Sequence, residues 1–79
     1  MVMRLSEARA GSEGVITGIA GDRRFLSRVT ALGLTPGCHV AVLLNQPRRP
    51  MLLYARDTLL AINRSDCGLI EIEPKEARA

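Results

Sequence analysis

The stretch Ala31-Leu32-Gly33-Leu34-Thr35-Pro36-Gly37 decides how this 79-residue chain folds. It reads as a helix stop, an apolar residue and a tight turn, and a run of strand-forming residues follows at once. Gly33 can take the left-handed conformation that ends a helix, where a residue with a Cβ pays a steric cost. With Gly33 as the first residue past the end, Leu34 is placed to touch Val29, the apolar contact that accompanies a Schellman cap. Pro36 presets a turn, and Gly37 sits where turns often need positive φ. The stretch contains no catalytic group, so it specifies architecture before chemistry.

Upstream of the stop, residues 22–32 read as the single long helix. Asp22 is a good N-cap, and Phe25, Val29 and Leu32 fall on one face at spacings of four and three. Downstream, residues 38–46 read as a strand with Val40, Val42 and Leu44 on one face. Pro47-Arg48-Arg49-Pro50 reads as a loop, because two prolines cannot both sit in a ladder. Residues 51–56 form the returning strand, Asp57 and Thr58 a tight connection, residues 59–63 the next strand and residues 63–68 a turn. Residues 69–73 are the last strand, with Leu69 opposing Ile70 and Ile72 across the pleat, and Pro74 ends it. Before the helix, residues 5–11 suggest a turn or one helical turn. Residues 14–20 alternate as a strand with Val15, Thr17 and Ile19 on one side and Gly18 marking a bulge. Five short strands and one helix predict a small barrel whose closure removes most exposed edges. Residues 1–79 read as a single domain, with 75–79 a frayed tail.

These residues resemble the FeoA family of small ferrous-iron-transport accessory proteins. The likeness lies in Leu32-Gly33-Leu34 with Pro36-Gly37, in Leu5-Ser6-Glu7-Ala8 with Gly11, and in Gly14-Val15-Ile16. It continues through Leu60-Ala61-Ile62, Asp66-Cys67 and Ile70-Glu71-Ile72, so that it covers roughly residues 3–74. The resemblance implies an all-β SH3-like barrel with one short helix. It also implies a cytoplasmic partner of the membrane iron transporter FeoB, acting on the transporter's GTPase side.

Bulk composition agrees with a small binding module. The hydrophobic fraction is 47% and the charged fraction 24%, near globular averages, and Phe25 and Tyr54 are the only aromatics. The core must therefore come from Leu, Ile and Val. The net charge of +3 rests on ten Arg and one Lys, from Arg4 to Arg78. This permits a polyanionic partner without demanding one. Nucleic-acid binders cluster their basic residues and interleave aromatics, which this chain does not do. The apolar run from Val40 to Leu44 is too short to span a bilayer, and no signal peptide is visible. The expectation is a cytoplasmic protein with no direct membrane insertion, whose Cys38 and Cys67 are reduced thiols.

Candidate chemistry is sparse. Cys38 and His39 are strand neighbours whose side chains diverge, and a zinc site wants three or four ligands. No metal site and no cofactor are expected. The four glycines from Gly11 to Gly21 match no phosphate-binding fingerprint. Pro47-Arg48-Arg49-Pro50 matches a Pro-x-x-Pro ligand in letters, and a hairpin loop explains it equally well. No nucleophile, base and orienting group can be assembled, so the chain reads as a non-enzyme that binds another protein. Arg24 and Arg28, four apart beside the apolar stripe, are either a solvated face with acidic neighbours from elsewhere or a docking site for an acidic surface. Leu26 borders the stripe on its other flank and is either a core residue or an apolar anchor, and Arg48 with Arg49 form the second candidate contact. Two alternatives stand beside this reading. One is a basic barrel that binds nucleic acid. The other is a stand-alone regulatory domain of the metal-repressor type, although no DNA-reading segment precedes it.

Overall fold

The computed structural model describes residues 2–75. The chain folds as six strands and two helices in the order β1 (Met3–Arg4), β2 (Glu13–Ile19), α1 (Arg23–Ala31), β3 (His39–Leu44), β4 (Met51–Ala55), β5 (Thr58–Ile62), α2 (Arg64–Cys67) and β6 (Ile70–Pro74). All pairings are antiparallel, in the sheet order β1-β6-β2-β3-β4-β5. The sequence reading missed β1. Its two residues are too few for periodicity to register, and only pairing with Ile72 and Glu71 of β6 makes them a strand.

The expected closure is not made by a ladder. Among the described residues nothing pairs β5 with β1, so the barrel is open at that seam. Instead α2 packs on the 3₁₀ turn Leu5–Glu7 that follows β1. Asn45, just past β3, ties the same region by donating from Nδ2 to the carbonyls of Ser6 (3.1 Å) and Ala8 (2.7 Å).

α1 forms and ends as its sequence dictates. The Asp22 carboxylate accepts from the Phe25 amide at 2.9 Å, an N-cap bond. At the other end the Leu34 amide donates to the Val29 carbonyl and the Gly33 amide to the Thr30 carbonyl, both at 2.9 Å. Those two bonds define a Schellman cap, and Gly33 adopts φ +92° within it. Phe25 and Val29 are buried as the stripe predicts, but Leu32 is 42% exposed. Leu32 is the C-cap residue, where the chain turns away, and Leu34 fills the core in its place with no exposure.

The core is a single cluster that includes Leu5, Ile16, Leu34, Val40, Val42, Met51, Leu53, Ile70 and Ile72. The ladders carry two register shifts, and one of them changes a facing assignment. The β2–β6 register shifts between Ile16 and Gly18, the bulge expected at Gly18; Ile16 faces inward, while Thr17 is exposed. The β3–β4 register shifts between Val42 and Leu44, which turns Leu44 outward although Val40 and Val42 stay buried. The β4–β5 turn is Arg56-Asp57, with φ +53° and +62°, one residue earlier than expected. That pair of positive φ values is the twist-matched two-residue hairpin, built here without the Asn-Gly signal that announces it. Similarly, β6 starts at Ile70, and Leu69 lies before it with its carbonyl accepting from Ala20. Lys75 continues that edge, its amide donating to the Glu13 carbonyl at 2.8 Å, whereas the rest of the expected tail, 76–79, lies outside the described residues.

Candidate functional site

The two arginine pairs singled out in the sequence lie on different surfaces. Arg24 and Arg28 project from α1, where Arg23, Arg24, Ser27, Arg28 and Ala31 line a broad open depression. Leu26, 37% exposed, and Leu32 lie on the same helix. The first turn of α1 carries Arg23 and Arg24 and no acidic residue. Cations at this end oppose the helix dipole, at about 0.3–1 kcal/mol each.

Arg28 differs from Arg24. Its guanidinium donates to Asp66 Oδ2 of α2 at 2.9 Å and lies 5.6 Å from the Phe25 ring centroid. The acidic neighbour from elsewhere that the sequence left open is therefore Asp66. A second tie holds the C-terminal end of α1, because Arg56 Nε donates to the Gly33 carbonyl at 2.9 Å. The helix is thus fastened to the β4–β5 turn and to α2.

Arg48 and Arg49 sit at the tip of the β3–β4 hairpin. With Pro50, Asn63, Arg64 and Ser65 they line a shallow cavity of about 330 Å³. Sequence reasoning did not include Arg64, because only folding brings α2 to the hairpin. Arg64 donates to Asn45 Oδ1, and Asn45 is oriented by its two bonds to the Ser6 and Ala8 carbonyls.

The thiols and the histidine do not converge. Cys38 and Cys67 are buried and unpaired, and His39 is exposed. Burial pushes the Cys67 thiol up to about 11, with the Asp66 charge adding to the rise and Arg64 opposing it. Among the described residues no three of His, Cys, Asp and Glu gather as metal ligands would.

A model of the FeoA domain matches residues 3–74. The chain belongs to the FeoA family. Among solved structures, an iron uptake regulatory protein, FeoA, matches with a TM-score of 0.91 at 28% identity, over 95% of this chain and 100% of its own. The FeoA protein of Chlorobium tepidum matches at 0.86 and 27% identity, over 98% of this chain and 74% of its own. Stenotrophomonas maltophilia FeoA, solved with zinc, matches at 0.78 and 21% identity, over 90% of this chain and 89% of its own. That protein is described as an SH3 domain protein and put forward as a bacterial ferrous iron transport activating factor. No protein of curated function matches the sequence. The open six-stranded barrel of this chain is accordingly SH3-like. No helix among the described residues is long and apolar enough to cross a membrane.

Proposed function

We propose that this FeoA chain is a cytoplasmic, non-enzymatic accessory module that binds the cytoplasmic GTPase side of a FeoB-like membrane iron transporter and modulates Fe(II) uptake. The family match over residues 3–74 supports the setting. The observation that carries the contact is the charge distribution of α1. Arg23 and Arg24 stand in the first turn against the dipole, with no acidic residue within that turn, and exposed Leu26 follows Arg23 by three residues on the same helix. An acidic patch on the transporter relieves that unfavourable placement, and Leu26 supplies an apolar anchor at the margin of the contact. No cofactor enters this reading. Nucleic acid is a poorer fit, because the exposed arginines have few aromatic companions on which bases stack.

Surface plasmon resonance with the immobilised cytoplasmic part of the transporter tests the proposal. The wild-type chain is expected to bind, and more weakly as salt rises, since exposed pairs are screened over about 10 Å at 0.1 M. Arg24→Glu with Leu26→Asp is expected to weaken binding at least tenfold. Absence of wild-type binding would sink the FeoB assignment. Wild-type binding that the double variant leaves unchanged would move the contact off α1.

A further inference from the structure

We propose that Arg48, Arg49 and Arg64 form a binding site for a phosphoryl group, at the seam between the β3–β4 hairpin and α2. Arg48, Arg49 and Arg64 line one cavity, together with Pro50, Asn63 and Ser65. Among the described residues no carboxylate lines that cavity, and none forms an ion pair with these three arginines. The contrast with Arg28, which has its own carboxylate, is internal to the molecule.

The site has one fixed donor and two adaptable ones. Asn45 Nδ2 donates to the Ser6 and Ala8 carbonyls, so its oxygen is left to accept from Arg64. Arg64 is held by that oxygen and keeps further N–H donors free, since a guanidinium has five. Arg48 and Arg49 come from the loop between Pro47 and Pro50, with Arg48 at φ +63°. That left-handed backbone reverses the chain at the hairpin tip, as it does at Arg56 and Asp57.

The donor set selects the ligand class. Three planar guanidinium groups present more N–H donors than the two oxygens of one carboxylate can accept. A phosphoryl group offers three oxygens and close to two negative charges, matching both the donor number and the charge. Free phosphate monoesters and the monoester headgroup of phosphatidic acid share this chemistry.

Two measurements on the intact chain test the site. In the first, the arginine Nε–H and backbone amide resonances are followed by NMR during titration with sodium phosphate, with sodium chloride holding ionic strength constant. Saturable shifts are expected at residues 48–49 and 64–65, and none along α1. Arg64→Gln retains a donor for Asn45 but not the charge, and is expected to raise the dissociation constant for phosphate at least tenfold; Arg48→Gln, in an exposed loop, is expected to act in the same direction. Arg24→Gln is expected to change nothing. In the second, co-sedimentation with phosphatidylcholine vesicles, with and without phosphatidic acid, separates the sources. Binding only to the phosphatidic acid vesicles, competed by inorganic phosphate, assigns the lipid headgroup; saturable phosphate binding without vesicle binding assigns a soluble ester. Shifts that merely follow ionic strength, or an Arg64→Gln variant that binds phosphate like the parent, would overturn the proposal.

Discussion

Arg24-Arg28 on α1 and Arg48-Arg49 on the hairpin look alike in sequence, and the fold treats them differently. On α1 the second arginine is absorbed: Asp66 takes its charge and Phe25 its face. On the hairpin folding adds a third arginine, Arg64, and brings no carboxylate of the described residues into the cavity. The four-residue helix α2 makes the difference. Arg64 turns toward the hairpin, Asp66 toward α1, and Cys67 into the core with no exposure. One surface is therefore fastened by its charge and the other is left with charge to spend on a ligand.

The strongest way to break this contrast is to unfasten α1 at its end. Gly33 sits at φ +92°, and a Cβ there would lie 2.7 Å from Arg56 Cδ. Gly33→Val therefore forces a β-branched residue into the left-handed region, about 1–2 kcal/mol, and displaces Arg56 from the Gly33 carbonyl, about 1 kcal/mol more. The expected loss is about 2–3 kcal/mol, read as a fall in the urea midpoint at constant slope. Gly37 has the same φ but open space around the missing Cβ, so Gly37→Ala is expected to cost less. Equal losses at the two positions would show that the Arg56 contact contributes nothing.

A second, smaller effect tests the core anchor of α2. The Cys67 thiol is raised from 9.0 to about 11, chiefly by burial. A folded value above the unfolded one favours the protonated, folded state, so this stability is complete below pH 9 and is lost as pH rises toward 11. At one pKa unit per 1.36 kcal/mol, the loss reaches about 2 kcal/mol near the upper end of that window. The wild-type protein is expected to lose that much more than Cys67→Ala between pH 8 and pH 10.5, measured by urea unfolding. Tyr54 and the arginines are common to both proteins and cancel. Parallel pH profiles would show that α2 opens to water without unfolding the core.

The same elements show how far the sequence could be read. The corner at Gly33 was legible because cap chemistry is local: Gly33, Leu34 and Val29 lie within six positions, and the bonds follow from them. The alternation of β3 was legible as far as Val42 and failed at Leu44, because a bulge is a property of two strands and not of one. β1 was missed for the same reason. The candidate surfaces follow this rule. Arg24, Leu26, Arg48 and Arg49 are visible as exposed residues of a helix and a loop. The Arg28–Asp66 pair spans 38 positions, and the approach of Arg64 to Asn45 spans 19. No periodicity or spacing encodes separations of that kind; packing of α2 against the 3₁₀ turn creates them.

The smallest expected effect sharpens the contrast within α1 itself. Arg28→Glu removes an ion pair and sets a carboxylate beside Asp66. The pair is partly exposed, 59% at Arg28 and 24% at Asp66, so screening limits its worth to the range of surface bridges, about 0.2–1 kcal/mol. Repulsion of similar size in the variant and loss of the contact with the Phe25 ring bring the expected total to about 1 kcal/mol. Arg24→Glu has no such partner to lose and places an acid in the first helical turn, where the dipole favours it. It is expected to leave stability unchanged or raise it by a few tenths of a kcal/mol. Thermal unfolding of the two single variants at low and at 0.5 M salt separates the roles. The Arg28→Glu deficit should shrink with salt, and the Arg24→Glu protein should stay at or above wild type throughout. If the two variants unfold together, Asp66 does not hold Arg28 in solution. Both arginines would then belong to the docking surface, and α1 would present to its partner the same unneutralised charge as the hairpin.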